Sequence, residues 1–131
     1  MTLTAEAASI SADSIFADMH TAYRFTSEPV NDEELARIYE LAKFTPTALN
    51  SQPLRITFVR TPEAKARLLP LLNPTNRPKS ESAPVVAILA ADTDFHEHLP
   101  VLNPQSAGAR ERFAANAEHR RAMATNNAWL A

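Results

Sequence analysis

Phe44-Thr45-Pro46-Thr47-Ala48-Leu49-Asn50-Ser51-Gln52-Pro53-Leu54-Arg55-Ile56-Thr57-Phe58-Val59 changes character halfway along, and the rest of the chain is organised around that change. Thr45 to Pro53 carries two prolines together with Asn50, Ser51 and Gln52. Proline interrupts backbone pairing, and short polar side chains bond their own backbone, so this half is a loop. From Leu54 onward the pattern alternates. Leu54, Ile56 and Phe58 lie on one face, and Arg55, Thr57 and Val59 on the other. That period of two predicts a strand.

Upstream, Asn31 to Phe44 predicts a helix. Asn31 can cap it, and Glu34 stands three residues on, where a capping box needs it. Asp32, Glu33 and Glu34 put negative charge at the positive end of the helix dipole. Leu35, Ile38, Leu41 and Ala42 form the expected buried stripe. Ser11 to Tyr23 reads as an earlier helix with Ser11 as its N-cap and Ile15, Phe16, Met19 and Tyr23 on one apolar face. A turn through Thr26-Ser27-Glu28-Pro29 joins the two.

Downstream, Thr61 and Pro62 open a third helix, with proline at the first position where its missing N–H does no harm. Leu68, Leu71 and Leu72 are expected to face inward, and Pro70 to end or kink the helix. Asn73 to Ser82 reads as a polar, proline-bearing loop. Val85 to Ala91 is apolar at every position, which predicts a strand covered on both faces inside a sheet. Asp92 to Leu99 then leaves the sheet, and Pro100 to Gly108 is irregular. The helical pattern resumes at Ala109, breaks near Asn116, and continues from Glu118 to Ala131. This order of elements predicts a single α+β domain over residues 1–131, a sandwich of helices and sheet, with residues 1–10 disordered.

Composition excludes several functions. The formal net charge is −2, without the basic footprint of a nucleic-acid binder. No apolar run approaches the ~20 residues that span a bilayer, and the N-terminus lacks the features of a secretory signal, so a cytoplasmic protein is expected. The absence of cysteine rules out disulfides and thiolate chemistry. There is one glycine, Gly108, against ten prolines. Glycine-rich phosphate loops need several glycines for close backbone approach, so side chains and helix termini must hold any phosphate.

The chain ends Asn127-Ala128-Trp129-Leu130-Ala131, with no helix-stop signal. Ala115, Ala122 and Trp129 recur every seven residues, so an inward stripe is expected to be still running at the last residue. Only two strands are legible, and two strands are marginal alone. Both features lead us to expect a C-terminally truncated chain.

The stretch Phe44 to Arg55 resembles the P-[ST]-x-x-N-x-Q-P element of the nitroreductase family, most of all its malonic semialdehyde reductase branch. Further matches follow in register: Glu28 to Glu33, Phe58-Val59-Arg60, Ala83 to Ile88, Phe95 to Pro100, and Thr125-Asn126-Asn127. The resemblance covers Phe16 to Ala131. It implies a nitroreductase-like fold with a mixed or antiparallel sheet, of which this chain would be about the N-terminal two-thirds. It also implies a homodimer binding flavin mononucleotide (FMN) at the subunit interface. NADH or NADPH would be co-substrate, and the electron acceptor a small aldehyde, quinone or nitro compound.

The resemblance also names cofactor-binding positions. His20, Thr21 and Tyr23 correspond to the family's phosphate-binding cluster at the end of the first helix. The family has arginines where His20 and Tyr23 stand, so only the Thr21 hydroxyl keeps its type; Arg24 lies one position out of step. Pro46, Thr47, Ala48 and Asn50 correspond to the segment approaching the flavin from the partner subunit. Asn76 and Lys79 correspond to residues at the flavin pyrimidine ring, where a cation would favour the reduced cofactor. Each group also fits a plainer role: a helix end, ordinary turn chemistry, a solvated loop lysine. Asp92, Asp94, His96, Glu97 and His98 invite a metal reading, but nothing closes a site, so no metal is expected. No catalytic side chain is assigned, since the hydride passes between nicotinamide, flavin and substrate. The alternative expectation is an inactive remnant that self-associates through Met123, Trp129 and Leu130.

Overall fold

The computed structural model describes residues 11–130; the disorder expected for residues 1–10 lies outside them. Seven helices and two strands follow in order: α1 (Ala12–Phe16), α2 (Asp32–Ala42), β1 (Leu54–Val59), α3 (Pro62–Leu68), α4 (Arg77–Ser82), β2 (Val86–Ala91), α5 (Leu99–Leu102), α6 (Ala109–Ala115) and α7 (Ala117–Leu130). Short 3-10 turns stand at Ala48–Asn50, Leu69–Leu71, Pro74–Asn76 and Phe95–His98.

β1 and β2 pair antiparallel, with Leu54 opposite Ala91 and Val59 opposite Val86. The Asp92 amide extends the ladder by donating to the Pro53 carbonyl at 2.8 Å. α7 packs across both strands. The expected α+β architecture is therefore present.

The core sits beyond the end of the sheet. Phe95, Leu99, Ala109, Phe113 and Ala124 form it, with Leu49, Ala91 and Met123 packed against them. Phe95 is 0% exposed and meets Phe113 edge-to-face at 5.1 Å. The Asp92–Leu99 stretch therefore does not merely leave the sheet. Phe95 and Leu99 lie one helical turn apart on a 3-10/α connection, and this places both side chains inward.

The capping signals at Asn31 and Thr61 are realised. The Asn31 carboxamide accepts the Glu34 amide at 2.8 Å, and the Glu34 carboxylate accepts the Asn31 amide at 2.9 Å. Thr61 Oγ1 accepts the Ala64 amide at 3.2 Å, with Pro62 at the first helical position. The break at Asn116 is present, with φ −134° and ψ 91°.

Six expectations are corrected. Of the stripe expected on α2 only Leu35 is buried, while Ile38 and Leu41 face solvent because nothing described packs over that side of the helix. The first helix is only α1, and Phe16, Met19 and Tyr23 are 80%, 70% and 78% exposed. A short helix holds together mainly by burying its stripe, and nothing described here lies over those three side chains. The 73–82 segment is a 3-10 turn and α4, because Asn73 Oδ1 accepts the Thr75 amide and both prolines fall in first turns. Leu71 faces solvent, unlike Leu68 and Leu72, because the tightening to 3-10 after Leu68 changes the angular step. β2 is not covered on both faces: Ile88 and Leu89, which point to opposite sides of the strand, are 40% and 65% exposed. Finally, the buried stripe of α7 runs through Met123, Ala124, Asn127 and Ala128, while Ala115, Ala122 and Trp129 point outward. The break at Asn116 separates Ala115 from the other two, and within α7 Ala122 and Trp129 fall beside the stripe rather than on it.

Candidate functional site

The 46–52 loop is the most strained segment described. Leu49, Asn50 and Gln52 have φ of 59°, 52° and 43°. Side chains rarely adopt this left-handed region, and such conformations persist only where the surroundings over-determine them. Here they do. The Ala48 amide donates to Asn127 Oδ1 at 2.6 Å, and Asn127 Nδ2 donates to the Met123 carbonyl at 2.9 Å. Asn103 Nδ2 donates to the Leu49 carbonyl at 3.2 Å, and Asn50 Nδ2 to the Leu102 carbonyl at 2.9 Å. Gln52 closes the loop, its amide on Thr47 Oγ1 at 3.1 Å and its Nε2 on Asn50 Oδ1 at 2.9 Å. The loop is thereby tied to α5, α7 and the core, with Pro46, Ala48 and Asn50 exposed and Thr47 half-buried.

A second group of candidates meets elsewhere. Thr21 and Lys79 line one cavity of ≈ 310 Å³, with Phe25, Ala83, Val86 and Ala87 among its apolar walls. The Phe25 amide donates to Ser82 Oγ at 3.3 Å, fastening the segment after α1 to α4. Lys79 is half-buried, and among the described residues its ammonium has no hydrogen-bond or ion-pair partner. His20 and Tyr23 do not line this cavity; His20 Nδ1 lies 3.0 Å from the Asp18 carbonyl, and both side chains are exposed. Asn76 stands exposed immediately before α4.

A wider opening, ≈ 980 Å³, lies between α2, β1 and α5 and is lined by Tyr39, Lys43, Ile56, Phe58 and Val101 among others. None of the nine expected cofactor positions borders it.

The acidic and histidine stretch is taken up by ion pairs. Asp92 pairs with Arg55 at 2.6 Å, and Glu97 with Arg110 at 2.7 Å. The Arg110 hydrogen bond holds the Glu97 carboxyl below the usual carboxylate range, and the same contact raises the Arg110 guanidinium. His96 is buried with Nε2 at 3.4 Å from Arg120 Nη1. Among the described residues no three carboxylates or imidazoles converge as a metal would require.

Reasoning from sequence matched Asn127 to a family pattern but gave it no task, and missed Asn103 altogether. The available signal was a polar residue four positions after Met123 in a helix stripe that otherwise buries small apolar groups. A buried carboxamide has to find partners.

With this geometry in hand, the chain can be set beside known proteins. The sequence pattern of the group described as the nitroreductase family matches residues 18–131. A Streptomyces coelicolor protein provisionally named an NADH dehydrogenase/NAD(P)H nitroreductase is 49% identical over 118 residues, covering 90% of this chain and 60% of the relative. A Leptothrix cholodnii protein of the same name is 47% identical over 121 residues, covering 92% of this chain and 61% of the relative. The chain thus spans about three-fifths of the length of these curated relatives. A provisionally named nitroreductase from Exiguobacterium sibiricum, solved in complex with FMN, superposes with a TM-score of 0.73 at 22% identity. That match covers 92% of this chain and 65% of the other. Among the described residues no helix is long and apolar enough to cross a membrane. A family pattern matched from residue 18 to the last residue, on a fold shared with such structures, leaves one assignment: the chain belongs to the nitroreductase family.

Proposed function

We propose that this chain contributes, as one domain, to a cytoplasmic FMN-dependent oxidoreductase that draws on NADH or NADPH and works as a homodimer. The observation that carries the reading is the cavity joining Thr21 to Lys79. It combines a hydroxyl, an ammonium without a partner among the described residues, and apolar walls. A flat, partly apolar and anionic group suits such a surrounding, and ligand sites are commonly apolar with a few placed polar groups. The resemblance to family members and the names of the relatives support the same reading.

In it, Lys79 supplies positive charge to the cofactor and Thr21 a hydroxyl donor. His20, Tyr23 and Asn76, exposed and outside the cavity lining, remain positions that only the family resemblance offers to the cofactor. The 46–50 loop, with Pro46, Thr47, Ala48 and Asn50, presents a rigid backbone edge to a flavin shared with a second subunit. Asn50 already spends one donor on the Leu102 carbonyl of α5 and one acceptor on Gln52 Nε2, so its carboxamide serves mainly to hold shape. Bound FMN would supply hydride transfer from the nicotinamide to a small aldehyde (malonic semialdehyde among them), quinone or nitro compound. The protein's share is position and electrostatics.

Titration of the purified chain with FMN, followed by flavin fluorescence, tests this. We expect quenching that saturates, and about tenfold weaker binding for Lys79→Ala, the loss of roughly one charge-assisted contact. Failure of the unmodified chain to quench FMN at all would remove the reading.

A further inference from the structure

Asn127 sits on α7 at 3% exposure and reaches across 79 residues of sequence to the Ala48 amide. Its carboxamide is used at both ends. Oδ1 accepts from Ala48 at 2.6 Å, while Nδ2 donates to the Met123 carbonyl at 2.9 Å and lies 3.2 Å from Met123 Sδ. The Met123 bond fixes the orientation of the amide group, so that the oxygen and not the nitrogen faces the loop. Immediately after Ala48 the chain enters the left-handed region at Leu49 and Asn50. Residues with a Cβ seldom adopt that region, so the pair relaxes unless its surroundings hold it. A bond to the residue just before the strained pair is the contact best placed to keep the loop from relaxing.

We propose that Asn127 is a positioning residue: by holding the Ala48 amide it maintains the strained 46–50 loop, and so sets how tightly that loop receives the cofactor. The second half rests on the FMN reading above; the first does not. The Met123–Asn127 pairing makes the role depend on a donor and an acceptor on one side chain, which filling of space alone would not.

Three variants test this. Asn127→Leu keeps the volume and removes both bonds. Asn127→Asp keeps the acceptor, but when ionised turns an anion toward the Met123 carbonyl; burial raises such a carboxyl, and once protonated it donates again. Asn126→Ala, at the exposed neighbouring position on α7, is the control. Amide hydrogen exchange across residues 48–52 reads the loop without cofactor, and FMN fluorescence reads binding.

Asn127→Leu is expected to speed exchange at Ala48 by about tenfold or more, as local opening becomes easier, and to weaken FMN binding by about tenfold. Asn127→Asp should approach the unmodified protein as pH falls and diverge from it as pH rises, when the two are compared at each pH. Should Asn127→Leu not fold, this pH-dependent ratio decides by itself. Unchanged loop exchange in Asn127→Leu, or a pH-independent ratio for Asn127→Asp, overturns the proposal. If the unmodified protein takes up no FMN, the cofactor reading falls. Loop exchange then decides alone: faster exchange supports the role of Asn127, and unchanged exchange removes it.

Discussion

Phe95 and Phe113 meet edge-to-face with ring centroids 5.1 Å apart and planes inclined at 66°. The pair joins the turn after β2 to α6, and His119 stacks on Phe113 at 5.3 Å from the far side of the Asn116 break. Three elements therefore depend on one ring. Phe113→Ala should lower stability by about 3–5 kcal/mol, the usual range for emptying a buried phenylalanine site. Urea unfolding followed by far-UV circular dichroism reads this directly. A loss under 1 kcal/mol would mean that the cluster is not the core.

Gly108 precedes α6 with φ 72°. A Cβ there would stand 3.6 Å from the Arg112 guanidinium, an ordinary contact. Steric clash is thus no obstacle, and only backbone strain opposes Gly108→Ala. A drop of about 1–2 kcal/mol is expected, read as a lower urea midpoint at unchanged slope.

The capping box between Asn31 and Glu34 satisfies two otherwise free donors at the start of α2. α2 borders the open groove beside β1, and its Ile38 and Leu41 are 49% and 66% exposed. A helix with so little tertiary support leans on its cap. Asn31→Ala should remove about 1 kcal/mol and raise amide exchange throughout 32–42 more than in β1.

Glu97 has its carboxyl lowered by the Arg110 hydrogen bond. A group whose folded value is depressed stabilises the protein above its unfolded value, and the contribution disappears as pH falls through the folded one. Stability of the unmodified protein should therefore decline on acidification from roughly 4.3 downward more steeply than that of Glu97→Gln. Parallel acid-side curves for the two proteins would count against the pair. Both partners are exposed, so the difference will be small and will shrink with added salt.

Elements whose signals lie within a few residues were legible in the sequence. Asn31 and Glu34, Thr61 and Pro62, the alternation of Leu54 to Val59, and the break at Asn116 all behave as read. Where burial had to be guessed from periodicity alone, the outcome depended on partners. Phe16, Met19 and Tyr23 have the right spacing for a core stripe, yet remain exposed. Phe95 and Leu99, embedded among acidic and histidine residues, are the centre of the core.

The candidate site divides in the same way. Its residue types, the hydroxyl of Thr21, the cation of Lys79 and the polar loop around Asn50, were reached only through the family resemblance. No local rule foretells that Thr21 and Lys79 share a cavity, or that Asn127 reaches Ala48.

The amino-acid order by itself determined the caps at Asn31 and Thr61, the alternation of β1, the apolar run of β2 and the absence of any glycine-built phosphate loop. These follow from forces acting over one helical turn or one strand, where spacing along the chain equals spacing in space. Only the tertiary structure decided which apolar faces are buried, which way Leu49, Asn50 and Gln52 turn, and which distant amide occupies Asn127. Burial and long-range hydrogen bonding depend on what the folded chain brings alongside, and that is a property of the whole arrangement rather than of any one segment.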